Sequence, residues 1–244
     1  HTPASPILSG LVGSEMCIRD RDYFEIGVIG YGGNGVRNPL QGAFAGKVFN
    51  PVSLFEQFPL SVEDRTKKVP DGAGGVNEEK IKFPVWFVPE ATGGTPMKEA
   101  LKVAAIELAT WCDNHSDSYP PTVLHVTDGE SSDGDPESIA EQMGQLSTND
   151  GSVLLFNLHT SDEGVRPIKF PVSEDEITDI HGKSLFRMSS ILPEGVSLAA
   201  REKGYSVADK SRGFFFNVEP IEIVDFFDIG TRAVSYTHLT LPTI

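Results

Sequence analysis

Cysteine is almost missing from this chain: there are two in 244 residues, Cys17 and Cys112. One pair is no disulfide framework, so a reducing compartment, the cytoplasm, is the expected setting. Long apolar runs are missing as well. No stretch approaches the roughly 18 apolar residues that a membrane span requires. PILSGLVG, near the start, lacks the leading Met, the basic segment and the length of a secretory signal. Basic residues are scarce, with 20 Lys and Arg against 35 Asp and Glu and a formal net charge of -15. The one basic cluster, Arg65, Lys67 and Lys68, reads as a solvated loop. Phosphate binding needs clustered cations, so neither nucleic acid nor a membrane is an expected partner.

A 39% hydrophobic content is enough for a soluble domain with its own core. Two stretches do not match that composition, GLVGSEMCIRDR at 10–21 and VSYTHLTLPT at 234–243. Met16–Arg21 back-translates as ATG TGT ATA AGA GAC AGx, the end that a transposase joins to DNA fragments in sequencing-library preparation. Gly10–Glu15 continues it as the adapter extension, and Val234–Thr243 corresponds to the reverse complement with its companion adapter. Residues 1–21 are therefore expected to be a non-native leader, with 10–21 derived from adapter, and 234–244 an adapter-derived tail. The whole resembles a conceptually translated metagenomic fragment whose natural segment is Asp22–Ala233.

Within that segment Phe24–Tyr31 (FEIGVIGY) reads as a buried strand that stops at a Gly-Gly-Asn turn. Residues 36–80 are irregular, with a short helix in PVSLFEQFP, and Ile81–Val88 reads as an edge strand because of Pro84. Thr95–His115 is the clearest helix. Thr95 is placed to cap it, Pro96 suits its first position, and Met97, Leu101, Ala104, Ala105 and Leu108 share a face. Thr122–Thr127, Val153–Leu158 and Phe214–Val218 read as further strands. Helices are expected at Pro136–Leu146 behind Asp135, in parts of 181–203, and from Pro220 to Ile229, where Gly230 stops the last one. Alternating strands and helices predict an α/β fold with a doubly wound, mostly parallel sheet, and no second domain is visible.

In such a sheet, ligands bind at the carboxyl ends of strands. ATGGTPMKEAL and HVTDGESSDGDP both lie there. Thr95 alone reads as a helix cap and Asp128 alone as a strand-ending Asp-Gly turn. Together, a hydroxyl and a carboxylate at one rim suit a hard cation such as Mg²⁺ or Mn²⁺. DGESSDGDP misses calcium-loop spacing, GAFAGK misses the phosphate-loop pattern, and no GxSxG elbow occurs. Cys112, Trp86, Trp111 and Phe214–Phe216 read as core, and nothing gathers His115, His125 and His159 into a metal site.

GGTP at Gly93–Pro96 and TDG at Thr127–Gly129 resemble the second and third loops of the metal-ion-dependent adhesion site (MIDAS) of the von Willebrand factor type A (VWA) family. The order of elements is similar across nearly all of 22–233, with FEIGVIGY as second strand, VWFV as third, VLLFNL as fifth and VDFFDIGTRA as closing helix. The stand-alone cytoplasmic bacterial members are the most similar. The resemblance implies a Rossmann-like fold and a protein-binding module rather than an enzyme, in which Thr95 and Asp128 hold Mg²⁺ or Mn²⁺. Gly93, Gly94 and Gly129 would shape the loops, and a carboxylate of a protein partner would complete the metal's coordination. The family's DxSxS loop has no counterpart before FEIGVIGY, which implies that the first, central strand is missing. Two facing strand edges would then be exposed, and the chain as written is expected neither to fold stably nor to hold the metal tightly. The rival readings are a Mg²⁺-dependent phosphoryl-transfer or hydrolytic enzyme using Asp128, and a regulatory subunit with a dispensable metal site.

Overall fold

The computed structural model describes residues 22, 24–33, 35–70, 76–89, 93–128, 130–160 and 166–237. The chain divides into two compact units, one of residues 1–30 and 37–91, the other of 31–36 and 92–244. Among the described residues there are six α-helices and a mixed parallel and antiparallel sheet.

In the first unit β1 (Glu25–Gly27) pairs antiparallel with β4 (Phe49–Pro51), which leads into α1 (Val52–Gln57). β2 (Gly30–Gly32) and β3 (Gly35–Arg37), most of whose residues belong to the second unit, form a separate short ribbon. FEIGVIGY is thus two short pieces and not one buried strand, and Ile26 is 38% exposed. Gly27 and Gly30 interrupt the side-chain surface of this run, which weakens it as a continuous strand.

β5 (Ser61–Pro70) and β6 (Val76–Val85) form a long antiparallel ribbon; β5 and the first half of β6 lie in the 36–80 stretch expected to be irregular, while 81–85 falls in the expected edge strand. Its signal is cross-strand charge, not apolar alternation. Asp64 sits opposite Lys82 and the two form an ion pair at 2.6 Å, while Arg65 lies over the Phe83 ring at 3.8 Å. Pro84 falls in this two-stranded ribbon, where both strands are edges. Leu40, Phe44 and Phe55 make a small core, and the Trp86 indole donates to the Phe55 carbonyl at 2.7 Å.

The second unit runs α2 (Met97–Asn114), β7 (Thr122–Thr127), α3 (Glu137–Met143), β8 (Ser147–Thr148), β9 (Gly151–Ser152) and β10 (Leu154–His159). β11 (Ile168–Lys169), α4 (Ile180–Met188), α5 (Glu194–Glu202), β12 (Phe214–Phe216) and α6 (Pro220–Thr237) follow. The sheet order is β11-β12-β10-β7, with β7, β10 and β12 parallel and β11 antiparallel. The strand residues alternate between two packing partners. Leu154, Phe156, Leu158 and Phe215 cluster with Val196 and Ala200 of α5 and Phe226 and Ile229 of α6. Phe214 instead meets Phe186 of α4 edge-on at 6.1 Å, and Asn157 donates to the Leu185 carbonyl. Phe214, Phe215 and Phe216 are each at most 1% exposed, and each such burial contributes about 1.5–3 kcal/mol.

Gly230 does not stop the last helix, which continues to Thr237. Its role is close packing: a Cβ there would sit 2.5 Å from Leu124 Cδ2 of β7. Among the described residues β7 has no strand on its far side. The Tyr31 hydroxyl reaches the Val126 carbonyl there, at 3.3 Å.

Candidate functional site at the carboxyl rim

The turn before α2 packs closely on its neighbours, and a backbone hydrogen bond ties it to the segment that follows β7. Gly93 has φ +73°, and a Cβ on it would lie 2.5 Å from Gly33 Cα. A Cβ on Gly94 would lie 2.9 Å from Ser132 Oγ. The half-buried Thr95 accepts two backbone bonds at its carbonyl, from Met97 N–H at 2.7 Å and Ser132 N–H at 2.9 Å. The 93–95 turn is therefore laced to the segment that follows Asp128. Asp128 itself leaves β7 exposed, and Gly129 lies outside the described residues.

The cap expected from Thr95 is made differently. The N-cap position falls on Pro96, which makes no side-chain cap bond. Asp133 does that work from the opposite segment: its carboxylate accepts Lys98 N–H at 3.0 Å and Glu99 N–H at 2.8 Å. Desolvation opposes its charge, yet the Glu99 N–H, the Ser131 hydroxyl and the Lys98 N–H hold its pKa below the ordinary aspartate value. Part of the acidic loop is thus a structural clamp on α2. Asp135 accepts Glu137 N–H at 2.9 Å, at the start of α3.

Behind the rim runs a buried polar chain that spacing along the sequence does not reveal. His125 and Asn157 are register partners on neighbouring parallel strands, 7% and 0% exposed. His125 Nδ1 lies 2.7 Å from Asn157 Oδ1, and His125 Nε2 lies 2.6 Å from the Tyr31 hydroxyl. The Asn157 amide donates to Ser189 Oγ at 2.9 Å and to the Leu185 carbonyl at 3.2 Å. Both amide hydrogens are spent, so Oδ1 accepts from His125 Nδ1–H and His125 Nε2 accepts from Tyr31; the tautomer is assigned from these partners. Burial lowers the His125 pKa, against the opposing effect of the Asn157 bond. Burial raises Tyr31 to about 12, with a bond to Thr127 lowering it and the Asp128 charge adding to the rise.

His159, at the end of β10, is 5% exposed and stacks on Phe216 at 5.0 Å. Its Nδ1 has no hydrogen-bond partner among the described residues. Burial lowers its pKa, the charges of Asp179 and Asp128 pull it back up, and His181 lowers it further. Cys112 is buried on α2, with its thiol pushed up by desolvation and by Asp113.

Thr95 and Asp128 carry a hydroxyl and a carboxylate, a pair that matches a hard cation in kind but amounts to two of the about six oxygens such a cation takes. Among the described residues no group of three or more His, Cys, Asp or Glu side chains is arranged to hold a metal ion. No described helix is long and apolar enough to cross a membrane. A scan of protein-family models, a search of curated proteins and a search of solved structures each found no match to this chain.

Proposed function

We propose that the carboxyl rim is a metal-ion-dependent protein-binding site of the VWA type, on a doubly wound Rossmann-like framework. The observation that carries this reading is the lacing of the Gly93–Thr95 turn to the segment after Asp128 by the Ser132 N–H bond to the Thr95 carbonyl at 2.9 Å. It brings the only two residues singled out for the metal to neighbouring loops at the end of one strand. The packing of β10 and β12 against α4 on alternate residues and α5 and α6 on the others supports the framework.

Mg²⁺ or Mn²⁺ would supply an open coordination position for a partner's carboxylate, converting a point contact into a charge-assisted, oriented one. Thr95 contributes a neutral hydroxyl and Asp128 a charge, leaving the cation electrophilic toward an acidic residue. The remaining positions would fall to water or to further oxygen ligands. Gly93 and Gly94 keep the turn close enough to its neighbours for this, and a reducing cytoplasmic setting suits a chain whose Cys112 is buried and unpaired with any other cysteine.

The test is titration of the full chain with Mn²⁺ and Mg²⁺, followed by calorimetry and by water-proton relaxation. Thr95→Ala and Asp128→Asn are each expected to weaken Mn²⁺ binding at least tenfold while the protein stays folded in chelator, with at most a small change in melting temperature. A wild-type chain whose metal response equals that of both variants would sink the reading.

A further inference from the structure

A cleft of about 310 Å³ lies between the start of α2, the segment after Asp128 and the first turns of α4. Its floor is apolar: Met97 and Leu185 are each 2% exposed, and Pro136 is buried. Its mouth carries Glu130, Asp135 and His181, and no Lys or Arg is among its lining residues. The volume is at the bottom of the roughly 300–1,000 Å³ range of ligand pockets.

The carboxylates around this cleft divide into two groups. Asp133 is held by the backbone of α2. Glu137 and Glu174 share Arg187, at 2.5 and 3.0 Å, and Asp179 accepts the Gly182 N–H. Glu130, by contrast, has His181 Nε2 at 3.9 Å, outside hydrogen-bond range. Asp135 commits one oxygen to the Glu137 N–H. Lys98 lies beside Gly134, with Nζ 3.9 Å from where a Cβ would stand. Among the described residues no lysine or arginine lines the acidic mouth, which stands above an apolar floor.

We propose that this cleft seats a basic side chain, arginine or lysine, of a protein partner. The aliphatic stem lies on Met97, Pro136 and Leu185, and the cationic head meets Glu130 and Asp135 at the mouth. That the occupant belongs to a protein rests on the partner-binding reading of the rim. Because Glu130 follows Asp128 by two positions, one partner segment would present an acidic residue to the rim and a basic one to the cleft.

The full chain is titrated with N-acetyl-arginine amide and with N-acetyl-citrulline amide, its neutral isostere, by methyl and amide NMR, once in chelator and once in Mg²⁺. The arginine probe is expected to shift the Met97 and Leu185 methyls and to bind at least tenfold more tightly than citrulline in both conditions. Glu130→Gln with Asp135→Asn brings it to the citrulline level, and Glu130→Gln alone, at an exposed side chain, is read if the double variant melts early. Equal affinity for the two probes, or arginine binding untouched by Glu130→Gln, overturns the proposal. Spermidine binding tenfold tighter than the arginine probe also overturns it, by assigning the cleft to free polyamines. Loss of any Mg²⁺ response leaves the chelator titration intact, so failure of the metal reading and of this one are told apart.

Discussion

His125 sits where a charge has no room. Its neutral ring donates to Asn157 and accepts from Tyr31. Protonation turns Nε2 into a second donor, which the Tyr31 oxygen can accept by turning its own proton to the Val126 carbonyl, so what opposes the imidazolium is burial. The sign of the pH dependence follows. Above about pH 6.5 the ring is neutral in both folded and unfolded chains. Between that value and the lower folded-state pKa, the unfolded chain binds a proton that the folded chain refuses, so stability falls as pH drops. His159 is lowered too and adds in the same direction. Urea unfolding from pH 7.5 to 5.5 is expected to lose stability with a limiting slope of about 1.4 kcal/mol per pH unit per histidine. His125→Gln removes one contribution and flattens the slope, at a cost of about 1–3 kcal/mol at pH 7.5 for the disturbed network. Equal slopes in both proteins would show that His125 carries no part of the titration. The sequence offered no route to this chain of bonds: Tyr31, His125, Asn157 and Ser189 are brought together by strand register and helix placement, and none is near another in sequence.

The elements whose signals are local were readable. TVLHVT coincides with β7, the apolar stripe from Met97 to Leu108 lies in α2, and the Phe214–Phe216 run is the buried β12. Where a long-range partner decides, the reading failed. The β5–β6 ribbon is held by pairs such as Asp64 and Lys82, invisible without the register, and Gly230 is a packing glycine because Leu124 stands against it. The start of α2 shows the same divide. Thr95 has the right chemistry and place for a cap, yet Asp133 reaches across to the free N–H groups of the first turn. Asp133→Ala should therefore destabilise the protein by about 1 kcal/mol, within the usual range of roughly 0.5–2 for a lost cap. Thr95→Ala should change the unfolding midpoint in chelator by less than half as much. Urea unfolding of the two variants side by side checks this. A larger loss from Thr95→Ala would return the capping role to that residue. The same clamp explains how much of the candidate site was legible: Thr95 and Asp128 could be placed at strand and helix ends from pattern alone, but Ser132 and Asp133, which hold the two loops together, carry no motif.

For the whole molecule, the net charge of -15 sets a balance between two electrostatic effects of different range. Close ion pairs stabilise the fold locally, as where Lys203 meets Asp225 at 2.5 Å and Asp228 at 2.8 Å, and where Arg187 joins Glu137 and Glu174. Desolvation works against the Lys203 charge, and the two aspartates overcome it and raise its pKa. Such contacts are shorter than any screening length, so salt weakens them little when they are partly buried. The excess of carboxylates repels over longer distances, and that repulsion is what salt removes. The Debye length shrinks from about 30 Å at 0.01 M to about 10 Å at 0.1 M, which spans the separations between most surface charges of a protein this size. Screening should therefore stabilise the folded chain on balance. In chelator, raising NaCl from about 10 to 150 mM is expected to raise the melting temperature by about 2–4 °C, the shift that roughly 1 kcal/mol produces in a chain of this length. A fall instead would mean that the local pairs outweigh the long-range repulsion. The comparison also isolates the metal. At matched ionic strength, Mg²⁺ that stabilises no more than NaCl acts only as a screening ion, whereas a further rise that Thr95→Ala and Asp128→Asn each abolish comes from the rim.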